Sequence, residues 1–436
     1  MNWKALLSGV VYAVSFAVLM LYCEQDEFQN IFINFSICFL AFAYLIHNRN
    51  QISLKWLIAF GVVLRVFVIF LFPNLSDDIY RFFWDGELWM RGVHPFDFTP
   101  SQLIANGANT DGIKEVFPLL NSKEYYTIYP PVLQFIFIIA AGIGKSVTGT
   151  AAIMNLIYVA VDILALLGLV KLLDEFEMDR SLSMLYFLNP LIITELIGNI
   201  HAEVLMVCFL IWMSYFLCKA KYWQAGILYG LSIASKILPF LIGPLLLFYL
   251  VKKKGWLGFF ATASMVVLVS FSVMLYGSDI SHLMDSIDLY FRSFEFNASL
   301  YYIGRWWGYS KVGYNMIGSI GPMLAIISLL LILAKSFTIF KKPDSKSLLA
   351  IIPLLFLIYL IFSTTIHPWY LAVPIAFAVF NEKYCFPIIL WSFVVILSYS
   401  AYDTNPVQEH TLFLFLEYGV LFAALIYGSV KNPIKL

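Results

Sequence analysis

Charge is what this sequence has least of. Of its 436 residues only 12% are charged, whereas 61% are hydrophobic. A soluble domain of ordinary composition keeps about 25% charged residues. Apolar runs long enough to cross a bilayer recur from one end of the chain to the other. The composition therefore predicts a multi-pass membrane protein and argues against a soluble globular domain.

An excess of basic residues is also lacking, because 27 basic residues are balanced by 27 acidic ones. A nucleic-acid partner needs a basic surface, so none is expected. The sequence shows no internal repeat, low-complexity tract or soluble domain, and residues 1–436 are predicted to form a single membrane domain. The five cysteines lie in or beside apolar runs without metal-ligand spacing, and we interpret them as packing residues. They are Cys23, Cys38, Cys208, Cys218 and Cys385.

Apolar segments of spanning or nearly spanning length are predicted along the whole chain. They lie near residues 5–23, 31–46, 55–72, 151–170, 182–197, 202–218, 223–235, 238–251, 256–276, 315–334, 347–364, 368–380, 384–400 and 411–430. The first run is predicted to be a retained helix, because no small-residue cleavage site follows it. A further apolar helix over Pro130 to Ile143 is predicted to be half-inserted. The short pair 223–235 and 238–251 is predicted to be a helix broken at Ser235 to Pro239.

The distribution of lysine and arginine predicts the orientation. With the N-terminus inside, 17 basic residues fall in inner segments and 8 in outer ones. Short inner loops rich in basic residues follow the positive-inside rule. The outer side then holds residues 73–145, 198–203, 277–314, 364–369 and 401–410, and it carries all the unusual polar chemistry.

The first outer loop, about residues 73–150, begins with two adjacent carboxylates, Asp77 and Asp78. A carboxylate beside the membrane can act as a general base for a hydroxyl, and a like-charged neighbour raises its pKa towards that task. The alternative is structural, with Asp77 as a helix cap. Helical spacing from Asp78 places Arg81 and Asp85 near one helix face.

The turn over Gly198 to Glu203 brings an amide, an imidazole and a carboxylate between two spans, as Asn199, His201 and Glu203. Glu195 lies just before this turn. Ionisable groups at membrane depth are expensive, which favours a functional role. Snorkelling of Glu203 to the interface is the structural alternative.

Two cations are candidates for binding a phosphate. Lys236 lies in the break between two short helices, where backbone N–H groups are also exposed. Its alternative is an ion pair with Glu195 or Asp162. Arg305 lies in an aromatic outer loop, where its guanidinium could bind a lipid phosphate, although interfacial aromatic belts explain most such residues without a function. The same loop holds a glycosylation sequon at Asn297.

The segment His367-Pro368-Trp369-Tyr370 opens another span from the outer side. A lone histidine at a helix start is more often an interfacial side chain than a catalyst. No cysteine or aspartate lies at ligand spacing from His367, so the segment is not interpreted as a zinc site.

Taken in order, these segments resemble GT-C glycosyltransferases that use polyprenyl-phosphate sugars. The first outer loop carries Asp-Asp-x-Tyr-Arg from Asp77, Trp-Asp-Gly from Trp84, His-Pro-Phe from His94 and Tyr-Pro-Pro from Tyr129. Further along come Asn189-Pro190, Gly-Asn-x-His-x-Glu over 198–203, Lys-Ile-Leu-Pro from Lys236 and His-Pro-Trp-Tyr from His367. This second set resembles the bacterial mannosyltransferase branch around glycosyltransferase family 87. That branch more often has Asn-Gly-His-Asn-Asp where this chain has Asn-Ile-His-Ala-Glu.

The resemblance implies an all-α GT-C helix bundle of about 14 spans or half-spans, with short juxtamembrane helices in its first outer loop. It also implies an inverting transferase in the plasma membrane, acting towards the periplasm or exterior. The donor would be polyprenyl-phosphate mannose, the acceptor a glycan or glycolipid, and no metal cofactor would be required. Asp78, or less favourably Asp77, would be the base, while Lys236 and Arg305 would offset the phosphate charge. Further substrate contacts would come from His201, His367, Arg81, Asp85, Glu203, Asn199 and Tyr370.

Two other classes of function stay open on the sequence alone. A transporter or flippase of a lipid-linked saccharide would also use broken helices and intramembrane charges. It would not need long one-sided loops with adjacent carboxylates. A non-catalytic scaffold would leave the outward clustering of Asp77, Asp78, His201 and His367 without an explanation.

Overall fold

The computed structural model describes residues 3–107 and 112–430. Across this part of the chain the protein is helical, and its only β-type pairing is an isolated bridge between Phe296 and Thr365. The helices are α1 Trp3–Tyr22, α2 Phe28–His47, α3 Leu54–Val68, α4 Asp78–Met90, α5 Pro100–Ala105, α6 Pro131–Gly144, α7 Val147–Glu175, α8 Met184–Phe187, α9 Glu203–Cys218, α10 Tyr222–Ser235, α11 Gly243–Leu250, α12 Trp256–Met274, α13 Ile280–Ser293, α14 Leu300–Val312, α15 Ile317–Phe337, α16 Ser345–Phe362, α17 Ala372–Phe377, α18 Glu382–Val394 and α19 Thr411–Val430.

The predicted helix bundle is confirmed, since a helix occupies each apolar segment found in the sequence. Eight helices of the described chain are long and apolar enough to cross a membrane, or nine if the bent pair around residue 190 counts as one span. Shorter apolar helices supply the rest, among them α6. With 14 residues, α6 is roughly 21 Å long, less than the about 30 Å of a hydrocarbon core, although its half insertion stays a prediction. Two of the inner basic residues, Lys431 and Lys435, lie outside the described residues.

One glycine and one buried ion pair hold together the helices around the first outer loop. A Cβ atom on Gly86 of α4 would lie 2.4 Å from the backbone oxygen of Phe137 on α6, so only glycine permits this close crossing. Between α3 and α7, Arg65 donates to Asp162 over 2.6 Å, with both side chains fully buried. A pair buried this way loses several kcal/mol if one partner is removed. The loop that follows α3 is therefore held firmly against the bundle.

Two interruptions place polar residues between spans. After Asn189-Pro190 the chain bends by 60°, and Ile192–Gly198 forms a π-helix. Proline cannot continue the hydrogen-bonding of the preceding turn, and π-helical turns are frequent at functional sites. The second interruption follows α10, where Lys236 adopts an extended conformation before a 3-10 turn over Leu238–Ile242. The predicted break at Ser235 to Pro239 is confirmed.

Candidate active site

The two adjacent carboxylates lie at the start of α4 and have different surroundings. Asp78 is the first helical residue, is partly buried, and accepts a hydrogen bond from the side-chain amide of Asn121 over 3.2 Å. Asp77 occupies the capping position, but its carboxylate makes no cap hydrogen bond, so the expected capping role is wrong. The Ser76 hydroxyl instead accepts from the backbone N–H of Asp78 over 3.4 Å. Neither carboxylate caps α4, so a role in the chemistry stays open for both.

Arg81 and Asp85 meet on one face of α4, as the helical spacing predicts. The Arg81 guanidinium donates to Asp85 over 2.8 Å and to the backbone oxygen of Ser122 over 2.9 Å. The other oxygen of Asp85 accepts from Thr127 over 2.5 Å and from Gln134 over 3.0 Å. These contacts tie α4 to the returning loop and to α6. They favour a role for this pair in holding the loop in place, and direct substrate binding stays a prediction.

A buried network surrounds Glu195 in the π-helix Ile192–Gly198. One carboxylate oxygen accepts from the hydroxyl of Tyr399 over 2.8 Å, and the other accepts from the side-chain amide of Asn199 over 3.1 Å. The Nδ1 atom of His201 lies 2.9 Å from the backbone oxygen of Glu195 and 3.2 Å from its carboxylate. These contacts of Nδ1 fix the orientation of the His201 ring, and the other ring nitrogen, Nε2, takes no part in them.

The two predicted histidines are joined through one tryptophan. The His201 ring stacks on Trp369 with 3.6 Å between centroids, and His367 stacks on the same residue at 4.5 Å. Phe296 covers His367, with 4.9 Å between their ring centroids. Both the Nε2 atom of His201 and the Nδ1 atom of His367 are buried without a hydrogen-bond partner. Buried polar atoms are normally satisfied, so these two nitrogens are available to a polar group that enters the cluster.

Lys236 faces the same cluster. Its ammonium forms an ion pair with Glu203, the first residue of α9, rather than with Glu195 or Asp162 as the alternative prediction had it. Glu203 is 1% exposed, so it is buried and does not snorkel to the interface. The ammonium also lies 4.7 Å from the centroid of the Tyr370 ring. We call the group formed by His201, Lys236, His367, Trp369 and Tyr370 the histidine pocket.

Two tyrosines are influenced electrostatically both by carboxylates of the first loop and by carboxylates of the polar turn around residues 195–203. The hydroxyl of Tyr129 is within electrostatic range of both Asp78 and Glu203, and its pKa is raised well above the usual value, chiefly by burial. The hydroxyl of Tyr402 is within range of Asp78 and Glu195. Carboxylates that are 125 residues apart in the sequence, Asp78 and Glu203, therefore both act electrostatically on Tyr129.

The pKa values of two groups of the site, Asp77 and His367, are shifted in opposite directions. Burial, with the charge of Asp78 second, raises the pKa of Asp77. Burial also lowers the pKa of His367 to about 3, and the neighbouring His201 and Lys236 add to this shift. At neutral pH His367 is therefore a neutral imidazole. An anion bound beside it would oppose this effect and favour the protonated ring.

Arg305 lies outside the histidine pocket, in an open cavity of about 970 Å³ between α14 and the N-terminal half of α19. Its guanidinium pairs with Glu295 over 3.1 Å and lies over the rings of Tyr302 and Tyr309. A second carboxylate of this cavity, Glu409, accepts hydrogen bonds from the Tyr302 hydroxyl and from the backbone N–H of Asn297. We call this space the aromatic cavity.

The aromatic cavity and the histidine pocket share a wall. The loop at Phe296 pairs with the loop before His367 through backbone hydrogen bonds, of 3.1 Å to Thr364 and 2.8 Å from Ile366. Phe296 thus lines the cavity on one side and covers His367 on the other. The neighbouring Asn297 is 1% exposed, so the sequon found in the sequence is not accessible in this fold.

Several residues of the site carry no signal in the sequence. Phe296, Tyr399 and Tyr402 are aromatic residues in a chain that is 18% aromatic, and nothing in their spacing distinguishes them. Their roles follow only from the tertiary contacts. Over the described ranges no group of three or more histidine, cysteine, aspartate or glutamate side chains has a geometry that could hold a metal ion. The metal-free mechanism stays a prediction.

Comparison with known proteins gives two matches. Residues 6–252 match the family model described as "Alpha-(1->6)-mannopyranosyltransferase, N-terminal domain". A segment of 89 residues is 39% identical to "GPI mannosyltransferase 1" of Saccharomyces cerevisiae (strain ATCC 204508 / S288c). That segment is 20% of this chain and 22% of the yeast protein, so the likeness spans about a fifth of each.

Proposed function

The chain belongs to the alpha-(1->6)-mannopyranosyltransferase family, whose model covers more than half of it, and on that premise we propose that it transfers mannose from a polyprenyl-phosphate donor to a hydroxyl of a glycan or glycolipid. The family places the chain among multi-pass GT-C membrane mannosyltransferases, as the sequence motifs predict. The identity of the donor, the identity of the base and the inversion at the anomeric carbon are proposals that go beyond the family.

The observation that carries the donor assignment is the composition of the histidine pocket. Within it, an ammonium at Lys236 lies near two imidazoles, and each imidazole has one buried nitrogen without a partner. The phosphodiester of the donor presents two free oxygens that accept hydrogen bonds, and the phosphate monoester that leaves carries a further negative charge; both are bound most strongly by charged donors. A lipid phosphate there would satisfy Nε2 of His201 and Nδ1 of His367, provided that each carries the proton, and it would compete with Glu203 for the ammonium.

Asp78 is the base that we propose. Its carboxylate would accept the proton of the acceptor hydroxyl while that oxygen forms a bond to the anomeric carbon of mannose. The bond from that carbon to the phosphate oxygen breaks on the opposite face, which inverts the configuration. Polyprenyl phosphate leaves with the bonding electrons, and Lys236 with the two histidines stabilises the charge that it gains. The Asn121 amide, 3.2 Å from Asp78, keeps the carboxylate oriented.

The direct test is turnover by the purified protein in detergent or nanodiscs. Polyprenyl-phosphate mannose and a mannoside acceptor should give a mannosylated product together with an equal amount of polyprenyl phosphate. Movement of an intact lipid-linked sugar across a proteoliposome membrane, without release of polyprenyl phosphate, would instead identify a transporter and refute the proposal.

We further propose that this chemistry takes place on the side away from the cytoplasm of the plasma membrane. The support is the split of basic residues, 17 inside and 8 outside. In a background without native cysteines, Lys114→Cys should react with an impermeant thiol reagent on intact cells, whereas Lys254→Cys should not. Both positions are exposed on the protein surface, so the pair is matched for access. The opposite labelling pattern would reverse the orientation.

A further inference from the structure

The aromatic cavity is a second binding space, and the mechanism above leaves it unused. It has polar residues at one end and apolar residues along a membrane-spanning helix. The polar end is formed by Glu295, Arg305, Gln408 and Glu409. We infer that this cavity binds the acceptor, and that the acceptor is a membrane-anchored glycolipid whose sugar lies among the polar residues and whose chains lie along α19. This inference rests on the proposed transferase function.

The depth of the cavity fits an amphiphile. Along α19 the wall runs from Thr411 through Phe415 and Gly419 to Phe422, at the spacing of one helix face. These positions span roughly 16 Å along the helix axis, about half of a hydrocarbon core of about 30 Å. A ligand that fills the cavity would therefore have its head at the membrane surface and its chains in the apolar region.

The charges favour a neutral sugar over a phosphate at the polar end. Two carboxylates face one guanidinium, and the guanidinium of Arg305 is already paired with Glu295. A phosphate placed there would meet an excess of negative charge, unlike one in the histidine pocket. Sugar hydroxyls, in contrast, donate hydrogen bonds to carboxylates. The ring of Trp306 is 72% exposed and lines the cavity, so its face is available to the apolar side of a pyranose.

The position of the cavity also suits an acceptor. Phe296 separates it from His367, and the ring of Tyr402 lies 5.7 Å from that of Phe296. The Tyr402 hydroxyl is in turn within electrostatic range of Asp78 and of Glu409, one residue from each region. The ring contact of Phe296 with Tyr402 thus extends from the cavity towards the proposed base, and an acceptor in the cavity would leave the place of the donor phosphate unoccupied.

Gly419 provides a test that fills the cavity without disturbing the protein. A Cβ atom at this position would have no protein atom within 4 Å, so Gly419→Leu places a side chain in the ligand space. Gly258 of α12 is a matched control, since it is also a glycine in a membrane helix with open space around its Cβ, and it does not line the cavity.

Equilibrium binding of dodecyl α-mannoside to the purified full chain in nanodiscs is the measurement. Gly419→Leu should weaken this binding about tenfold or more, because overpacking a ligand space is costly. It should not weaken the binding of polyprenyl-phosphate mannose, and Gly258→Leu should affect neither ligand. Trp306→Ala, at an exposed side chain, should weaken dodecyl α-mannoside binding through the sugar alone.

Three results would overturn the inference. Unchanged binding of dodecyl α-mannoside to Gly419→Leu would show that the cavity does not hold this ligand. Weaker binding of the donor in that variant would assign the cavity to the polyprenyl chain. Equal affinity of the parent for methyl and dodecyl α-mannoside would mean a free glycan rather than a glycolipid. A parent that binds dodecyl α-mannoside in the cavity but releases no polyprenyl phosphate would instead refute the proposed function alone.

Discussion

The histidine pocket and the aromatic cavity each hold one cation, but the groups around that cation differ. Lys236 shares its pocket with two imidazoles and one carboxylate, Glu203. Arg305 shares its cavity with two carboxylates, Glu295 and Glu409. Both cations are in ion pairs, so pairing alone does not identify a phosphate site. What distinguishes the pocket is its surplus of groups that can donate to an anion.

The two regions also differ in packing. Beside the histidine pocket, Glu195 and Asn199 are buried and both share hydrogen bonds with Tyr399, and Glu195 in turn contacts His201 of the pocket. The aromatic cavity is open, and side chains such as Trp306 are largely exposed. A rigid pocket with unsatisfied polar atoms suits one fixed group, such as a phosphate. An open groove with an apolar wall suits a class of amphiphiles that vary in length.

The largest effect is expected at Asp78. Asp78→Asn keeps the size of the side chain and its contact with Asn121 but cannot accept a proton, so single-turnover transfer should fall by about 10²–10⁴-fold. Donor binding should persist, because the phosphate is held elsewhere. Rapid-quench measurement of product with the purified variant gives both the rate and the amplitude.

Asp77→Asn is the matched control for that experiment. Asp77 makes no cap hydrogen bond, so its replacement should leave the fold stable and most of the transfer rate intact. An inactive but folded Asp77→Asn beside a nearly unimpaired Asp78→Asn would move the base to Asp77. Unimpaired transfer by both variants would remove the first loop from the chemistry.

An effect of intermediate size, on donor binding, is expected when Lys236 is replaced but not when Arg305 is replaced. Removing Lys236 alone would leave Glu203 buried without a partner, which costs stability. The double variant Lys236→Met/Glu203→Gln avoids this and should weaken donor binding about tenfold to a hundredfold, the range for hydrogen bonds to charged groups. The matched variant Arg305→Met/Glu295→Gln should bind the donor like the parent. Equal losses in both would erase the distinction between pocket and cavity.

The sequence is a good guide to what depends on local pattern. Apolar runs predict the helices, and the Ser235 to Pro239 segment predicts the break at Lys236. The i to i+4 spacing predicts the contact of Arg81 with Asp85. In each case the determining interaction lies within one or two turns of the chain.

The partners of these residues depend on tertiary contacts and could not be predicted in the same way. Glu203 pairs with Lys236 across 33 positions, and no periodicity links the two. Likewise, Arg305 belongs to a different space from Lys236, although the sequence predicts a phosphate contact for both. The aromatic cavity has an excess of carboxylates because Glu409 enters it from a distant loop and accepts hydrogen bonds from Tyr302 and Asn297.

The smallest effect is the pH dependence of the free energy of unfolding that arises from His367 in the histidine pocket. His367 has a pKa of about 3 in the folded protein against 6.5 for an ordinary histidine. Between these values the unfolded chain binds a proton that the folded protein does not. This contribution to the free energy of unfolding is therefore fully present above pH 6.5, decreases as the pH falls, and is lost below about 3. Thermal unfolding of His367→Gln should be less sensitive to a change from pH 7 to pH 5 than that of the parent, and equal sensitivity would contradict the lowered pKa.

Bound polyprenyl phosphate in a density map tests the central claim most directly. The account predicts phosphate density in the histidine pocket, within hydrogen-bond distance of Lys236, Nε2 of His201 and Nδ1 of His367. It also predicts that the two imidazole nitrogens, unpartnered in the free protein, become satisfied. Phosphate density beside Arg305 in the aromatic cavity, with the histidine pocket unchanged, would contradict the assignment of donor and acceptor to the two regions.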